Sequence, residues 1–222
     1  MALLGQSALA MWWTIAPAIR AEFEDWHAHE HFPERLSLPG FLRGSRWSSA
    51  NGSGGVFVMY ELEHHDVLTS PEYRARLDAP TPWSTRMMPH HTGMVRSQTR
   101  VVESFGSGVG GNLATVRLSP GGIGEPLLQN RLRDALRELP AAKGVTGAHF
   151  LKTDTPAAPL TTEQRIRGAD AAADWIVLLS GYDLAAIETI AMTHFSATSL
   201  GLADTTRVDT FRLAYALSKT DL

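Results

Sequence analysis

Short apolar runs and longer stretches with a helical repeat follow one another along the chain in a definite order. Residues 8–16 (ALAMWWTIA) form an apolar run that ends at a proline, as a strand would. From residue 20 to about 36 the repeat changes: Phe23 and Trp26 share one face, with Glu22, Glu24 and Asp25 off it, which predicts a helix. The LPGF of residues 38–41 stops that helix and turns the chain. Residues 41–48 predict a second strand, NGSGG a hairpin loop, and residues 56–62 (VFVMYEL) a third strand. A second helix starts at SPEY, where Ser70 can cap and Pro71 takes the first helical position. Beyond the proline-broken DAPTPW a further helical turn runs through Met88, and residues 94–104 predict a fourth strand. The order β-α-β-β-α-β is that of a ferredoxin-like unit.

The second half repeats this order at an offset of about a hundred residues, as a duplication predicts. GNLATVRLSP stands for the first strand, and residues 125–143 predict an amphipathic helix with Leu128, Leu132, Leu136 and Leu139 on one side. Residues 144–153 answer GFLRGSRW, and residues 175–180 (WIVLLS) answer VFVMYEL. A helix over 183–200 and a strand over 207–217 complete the repeat. The insertion DTPAAPLTTEQRIRGADAAAD breaks the correspondence between the second and third strands. Two units are therefore expected, residues 1–106 and 112–222, each presenting one sheet face to its helices and the other to its partner. Their expected core is Trp13, Ile15, Phe23, Phe57, Leu132, Leu136, Ile176 and Leu178.

Composition narrows the classes. Of 222 residues, 44% are hydrophobic and 19% charged, as in ordinary globular proteins. A formal charge of −3 leaves no electrostatic footprint for nucleic acid or an anionic membrane. The absence of cysteine excludes disulfides and thiolate chemistry, so any metal would need His, Asp and Glu. The apolar N-terminus has no basic residue before Arg20 and is too short to span a bilayer, so a first strand of a cytoplasmic protein is expected. GSGVGG between the halves fits the dinucleotide glycine spacing but precedes a strand, not a helix, and reads as a flexible linker. PGGIGE lies between a strand and a helix, where Glu125 puts the wrong charge for phosphate.

WHAHEHFPERLSLPGF, YELEHHDVLTSPEY and RLDAPTPWSTRMMPH resemble the EthD-like branch of the dimeric α/β-barrel superfamily, in an uncharacterised bacterial group. The resemblance covers the first half. It implies an α+β fold of two tandem ferredoxin-like units packed sheet to sheet as a fused dimeric α/β-barrel. The superfamily includes polyketide cyclases, lactone isomerases and haem-handling enzymes, so it does not fix a reaction.

Candidate chemistry begins with HAHEHFPER, residues 27–35. On a helix His27 and His31 are four apart and share a face with Phe23, Glu30 and Glu34, while His29 points elsewhere. The stripe is apolar at Phe23 and Trp26 and then turns polar, which suits a helix end bordering a cavity; a solvated helix end is the alternative. Residues 27–31 also match H-x-x-E-H, but zinc would need a third ligand, and Pro33 would distort the helix, so no metal is expected. The second cluster holds Trp83, Arg86, His90 and His91, where arginine could hold an enolate and a histidine could shuttle a proton. Trp47 and Tyr60 are the strand residues expected nearest a pocket, and His64 and His65 are expected to be exposed. Haem would need an axial histidine such as His149 or His194, each more naturally a satisfied core residue, and no cofactor is expected.

Two functions follow. In the first, a cofactor-independent isomerase, cyclase or lyase acts on an apolar carbonyl compound. His31 is its base, His27, Glu34 and Glu30 assist, and Tyr60 or Arg86 stabilises negative charge, with Trp26, Trp47, Trp83 and His90 against the substrate. In the second, the same cavity serves a non-catalytic small-ligand-binding or stress-associated accessory protein. A closed pocket holding a buried His31 favours the first. The expected partner is a small molecule, with a homodimer left open. The polar pocket is expected in the first unit alone, the second being a packed scaffold.

Overall fold

Strands form at the short apolar runs. In the computed structural model, which describes residues 3–121, 124–157, 159–168, 170–202 and 206–222, they are β1 (Ser7–Thr14), β2 (Phe41–Ser49), β3 (Gly55–Leu62), β4 (Thr92–Gly106), β5 (Asn112–Leu118), β6 (Val145–Thr153), β7 (Trp175–Gly181) and β8 (Arg207–Ser218). All ladders between them are antiparallel. The first unit has the order β4-β1-β3-β2 and the second β8-β5-β7-β6, the ferredoxin-like arrangement twice. β2 pairs with β8 and β4 with β6, so the sheets also join at their edges, and the eight strands close into one barrel.

Alternation sorts the side chains into three cores. Trp12, Trp47, Phe57 and Met59 of the first sheet meet Leu113, Leu151, Ile176, Leu178 and Phe211 of the second inside the barrel. Trp13, one residue on, faces outward with Ile15 beneath Phe23, Trp26 and Phe32 of the first helical layer. Leu128, Leu132 and Leu136 cover the second sheet. All eight expected core residues are buried.

The helical layer differs from the sequence pattern in instructive ways. The helix expected over 20–36 is interrupted: α1 (Arg20–Trp26) passes through a π turn (His27–His31) into α2 (Phe32–Leu36). α3 (Pro71–Asp78) and α4 (Pro82–Met87) begin at prolines, with Ser70 and Thr81 accepting hydrogen bonds from the backbone N–H groups of Tyr73 and Ser84. α5 (Glu125–Glu138) ends before Pro140, short of the expected residue 143. The insertion carries a short helix, α6 (Thr162–Arg167), closed by a capping box between Thr161 and Gln164. The last helix splits into α7 (Leu184–His194) and α8 (Ala197–Leu200), because Ser196 caps a new start.

The inter-unit linker is held more firmly than expected. Gly106 closes the β4–β6 seam at φ 95°, where a Cβ would lie 2.1 Å from the Thr146 carbonyl oxygen. The backbone N–H of Leu213 donates to the carbonyl of Gly111 at 2.9 Å. The insertion is tied to the first unit as well: Arg96 N–H donates to the Ala171 carbonyl at 2.8 Å, and Ala171 N–H to that of Met94 at 3.1 Å.

Candidate functional site

The π turn is where sequence and site meet. Pro33 has no N–H, and in a regular helix its ring would strike the His29 carbonyl four residues back. The chain widens instead, and the Phe32 N–H donates to the His27 carbonyl, five residues back. The wider turn brings residues four apart nearly into line. His27 and His31 therefore point the same way, with ring centroids 5.3 Å apart and planes within 9°. His29 turns out to solvent near Asp25.

Both inward rings reach a chamber between the first sheet and its helices. Leu9, Met11, Trp13, Tyr60 and Met94 form its floor, and Arg35, Tyr73, Met88 and His91 its sides. Thr161, Glu163, Gln164 and Arg167 of the insertion complete it. The space not filled by atoms is about 510 Å³. α6 and the residues before it cover the outer side of the chamber. The second unit is therefore more than a scaffold, since its insertion supplies the outer wall.

Electrostatics keep the chamber's histidines neutral. His27 and His31 are 2% and 8% exposed, and burial pushes both well below the usual imidazole range, with Arg46 reinforcing it at His27 and Arg35 at His31. His91, its ring 4.7 Å from that of Trp13, is pushed down to about 3 by burial, with Arg167 adding to it. Burial raises the Tyr60 hydroxyl well above its ordinary value, so it remains a donor. Hydrogen-bonding capacity is left open around this space. Trp13 Nε1, the Nδ1 of His27 and His31, Arg35 Nη1, the Tyr60 hydroxyl and both ring nitrogens of His91 are buried without a hydrogen-bond partner. Buried polar atoms are normally paired, so a cluster of open ones marks a place for water or a ligand.

Of the residues singled out from sequence, His27, His31 and Tyr60 are brought together at the chamber. Glu34 lies behind His31, its Oε2 3.8 Å from Nδ1, and its other oxygen is held by Arg76 at 2.7 Å. Trp26 backs both rings, at 4.5 Å from His31 and 4.9 Å from His27. Its Nε1 donates to Ser84 Oγ and to Glu30, which also accepts from Thr81, so Glu30 fastens α4 to the π turn and faces away from the chamber.

The other expected residues lie elsewhere. Arg86 is largely exposed and pairs with Glu22 at 3.7 Å, while Trp83 Nε1 donates to the same Glu22. His90 is exposed, and its neighbour His91 takes the inward position. Trp47 lies inside the barrel beside His149, whose Nδ1 is 2.9 Å from Ser104 Oγ. His65 is buried, contrary to expectation, and His194 is exposed at the end of α7. Neither histidine considered for haem stands at the chamber. Among the described residues no cluster of three or more His, Asp or Glu could hold a metal ion, and no helix is long and apolar enough to cross a membrane.

Sequence reasoning missed the insertion. Arg35 of α2 and Glu163 of α6 form a buried ion pair across 128 positions of sequence. Arg167 is held by Asp170 through two hydrogen bonds of 3.0 and 2.6 Å. The capping box TTEQ was the one local signal that the insertion carried structure.

No family model and no curated protein matches the sequence. Solved structures do. An anthrone oxidase-like protein superposes with a TM-score of 0.65 at 12% identity, over 100% of this chain and 98% of its own. A protein provisionally assigned as a monooxygenase, from Fusobacterium nucleatum, gives 0.63 at 5% identity over 98% and 96%. Another such protein, from Lactobacillus acidophilus, gives 0.56 at 9% identity over 97% and 97%. The chain has the fold of the dimeric α/β-barrel superfamily, with both units in one polypeptide.

Proposed function

We propose that this chain is a small-molecule enzyme that removes a proton from an apolar, ring-bearing carbonyl compound, with His31 as the base. The observation that carries the reading is the set of unpartnered buried polar atoms around the chamber, two of them on stacked neutral imidazoles. A histidine kept neutral by burial is ready to accept a proton, and its cation gains stability as negative charge develops beside it. Glu34 Oε2 lies 3.8 Å from the unpartnered Nδ1 of His31, near enough to steady the imidazolium once it forms. His27, stacked against it, holds the ring in place and offers a second acceptor. The Tyr60 hydroxyl and Arg35 Nη1 are the donors available to an enolate oxygen, where fixed dipoles in a dry site act most strongly. Leu9, Met11, Trp13, Met88 and Met94 suit an apolar ring. Return of the proton elsewhere gives isomerisation or cyclisation. The likeness to an anthrone oxidase-like protein favours a second outcome, in which the substrate carbanion meets dioxygen.

Deuterium exchange at the acidic CH₂ of anthrone and of 2-tetralone, followed by NMR in D₂O, tests the base. The protein should accelerate exchange, and His31→Ala should lower the acceleration by about 10²-fold or more, the scale of general-base catalysis, without unfolding the chain. Since burial depresses the imidazole pKa, the rate should persist below pH 6.5. Undiminished exchange by His31→Ala would remove the assignment.

A further inference from the structure

A second cleft of about 470 Å³ adjoins the chamber on its outer side, and the two share Tyr73, Leu77, Arg96, Thr161 and Gln164. We propose that this outer cleft is a carboxylate subsite, so that the substrate is an apolar ring compound bearing one carboxylate. The inference rests on reading the chamber as the active site and goes on to name its substrate class.

The charge inventory carries it. Three arginines that border the chamber or its helices have an acidic partner: Arg35 has Glu163, Arg167 has Asp170, and Arg76 has Glu34. Arg74 and Arg96 both line the outer cleft, and among the described residues neither forms an ion pair. Arg96 donates from its Nη2 to the Tyr73 hydroxyl at 3.1 Å, which fixes its guanidinium at the boundary between cleft and chamber. Among the described residues no aspartate or glutamate lines the cleft, whose remaining walls are Leu68, Tyr73, Leu77, prolines, threonines and Gln98 and Gln164. Two half-buried guanidinium groups without counter-charge, among neutral hydroxyl, amide and apolar groups, attract an anion. Their planar forks match a carboxylate, and a ring attached to it would extend inward toward Trp13 and the histidine pair. A phosphate monoester would bring a second charge against walls that offer only hydroxyl and amide groups to meet it. The α6 segment also serves both spaces, since Thr161 and Gln164 line the chamber and border the cleft. Lifting that segment would open the route for head group and ring together.

The test is equilibrium dialysis of the full chain at neutral pH against 2-naphthoate and its neutral analogue 2-naphthalenemethanol. The carboxylate should bind about tenfold tighter or better, the scale of a charge-assisted hydrogen bond, and the preference should shrink as salt is raised. Arg96→Gln with Arg74→Gln should bring the two probes near parity and leave the alcohol's affinity unchanged. Arg86→Gln, on the exposed surface, should leave the preference intact. Equal affinities in the wild-type protein, or a preference that survives the double substitution, would overturn the subsite. Should the double variant fail to fold, the wild-type ratio and its salt dependence decide alone. Binding of neither probe would overturn the subsite and the chamber reading together. A carboxylate preference beside deuterium exchange that ignores His31→Ala would overturn only the catalytic reading.

Discussion

Acidification from pH 7 to pH 5 should strip this protein of a large part of its stability, and the buried histidines set the size of the loss. His91 and His149 are held at about 3 and about 4 in the folded chain, against 6.5 when unfolded. Their folded values are depressed, so the unfolded chain binds more protons below pH 6.5, and stability falls as pH drops from there toward the folded values. At pH 5 the unfolded imidazole is almost fully charged while the folded one is neutral. From 1.36 kcal/mol per pKa unit, each residue then contributes about 2 kcal/mol of lost stability, or about 4 kcal/mol for the two. His27 and His31, depressed by the same burial, act in the same direction. Burial raises the carboxyls of Glu34 and Glu61, which opposes the trend, so a comparison of variants is needed. Urea unfolding should show the midpoint falling by about 2 M between pH 7 and 5 at an m-value near 2 kcal/mol per M. His91→Phe isolates one residue. Both of its ring nitrogens lack hydrogen-bond partners, so the apolar ring gives up no bond, and about half of the 4 kcal/mol should disappear. A midpoint that hardly moves, or a His91→Phe protein with the wild-type pH slope, would refute the argument.

Two further substitutions test α6 and the scaffold. Glu163→Gln removes the hydrogen-bonded counter-charge of the buried Arg35 guanidinium and leaves only Glu34 at 3.6 Å, which should cost about 1.5–3 kcal/mol in urea unfolding or, if α6 lifts to hydrate Arg35, make the chain cleavable by trypsin at Arg165 and Arg167. Wild-type stability with an uncleaved α6 would contradict that role. Leu132→Ala, in the second helical core, should cost about 2–5 kcal/mol and leave His31-dependent exchange unchanged in the folded fraction; loss of exchange with little loss of stability would contradict it.

The fold was readable from the sequence because its information is local. Strands such as VFVMYEL and WIVLLS announce themselves by apolar runs between turn signals, and the duplicated order leaves few topologies. The inward pair His27 and His31 was readable from their spacing. The π turn that aligns them was visible only as a conflict between Pro33 and a continuous helix. The other half of the site depends on long-range contacts. Glu163 meets Arg35 only because the insertion crosses onto the first unit at Met94 and Arg96, which no periodic pattern encodes. Choosing between His90 and His91 failed for a related reason. They follow a short irregular turn after α4, where a one-residue shift exchanges inside for outside. Tryptophans mislead similarly: Trp47 and Trp83 are large and partly polar, and here one fills the barrel while the other tethers α4 to Glu22.

The seams that close the barrel dictate the order of events during synthesis. β2 and β4 are the edges of the first sheet, and their partners β8 and β6 lie far along the chain, with Trp47 opposite Leu213. On a ribosome adding residues at about 5–20 per second, β2 waits on the order of ten seconds for β8 to be made. Throughout that interval the first unit carries an unpaired edge and an uncovered apolar face bearing Trp12, Trp47 and Phe57. Carrying both sheets in one polypeptide thus replaces the search for a second subunit with a timed wait, and the nascent chain is most vulnerable to aggregation before its last strand arrives.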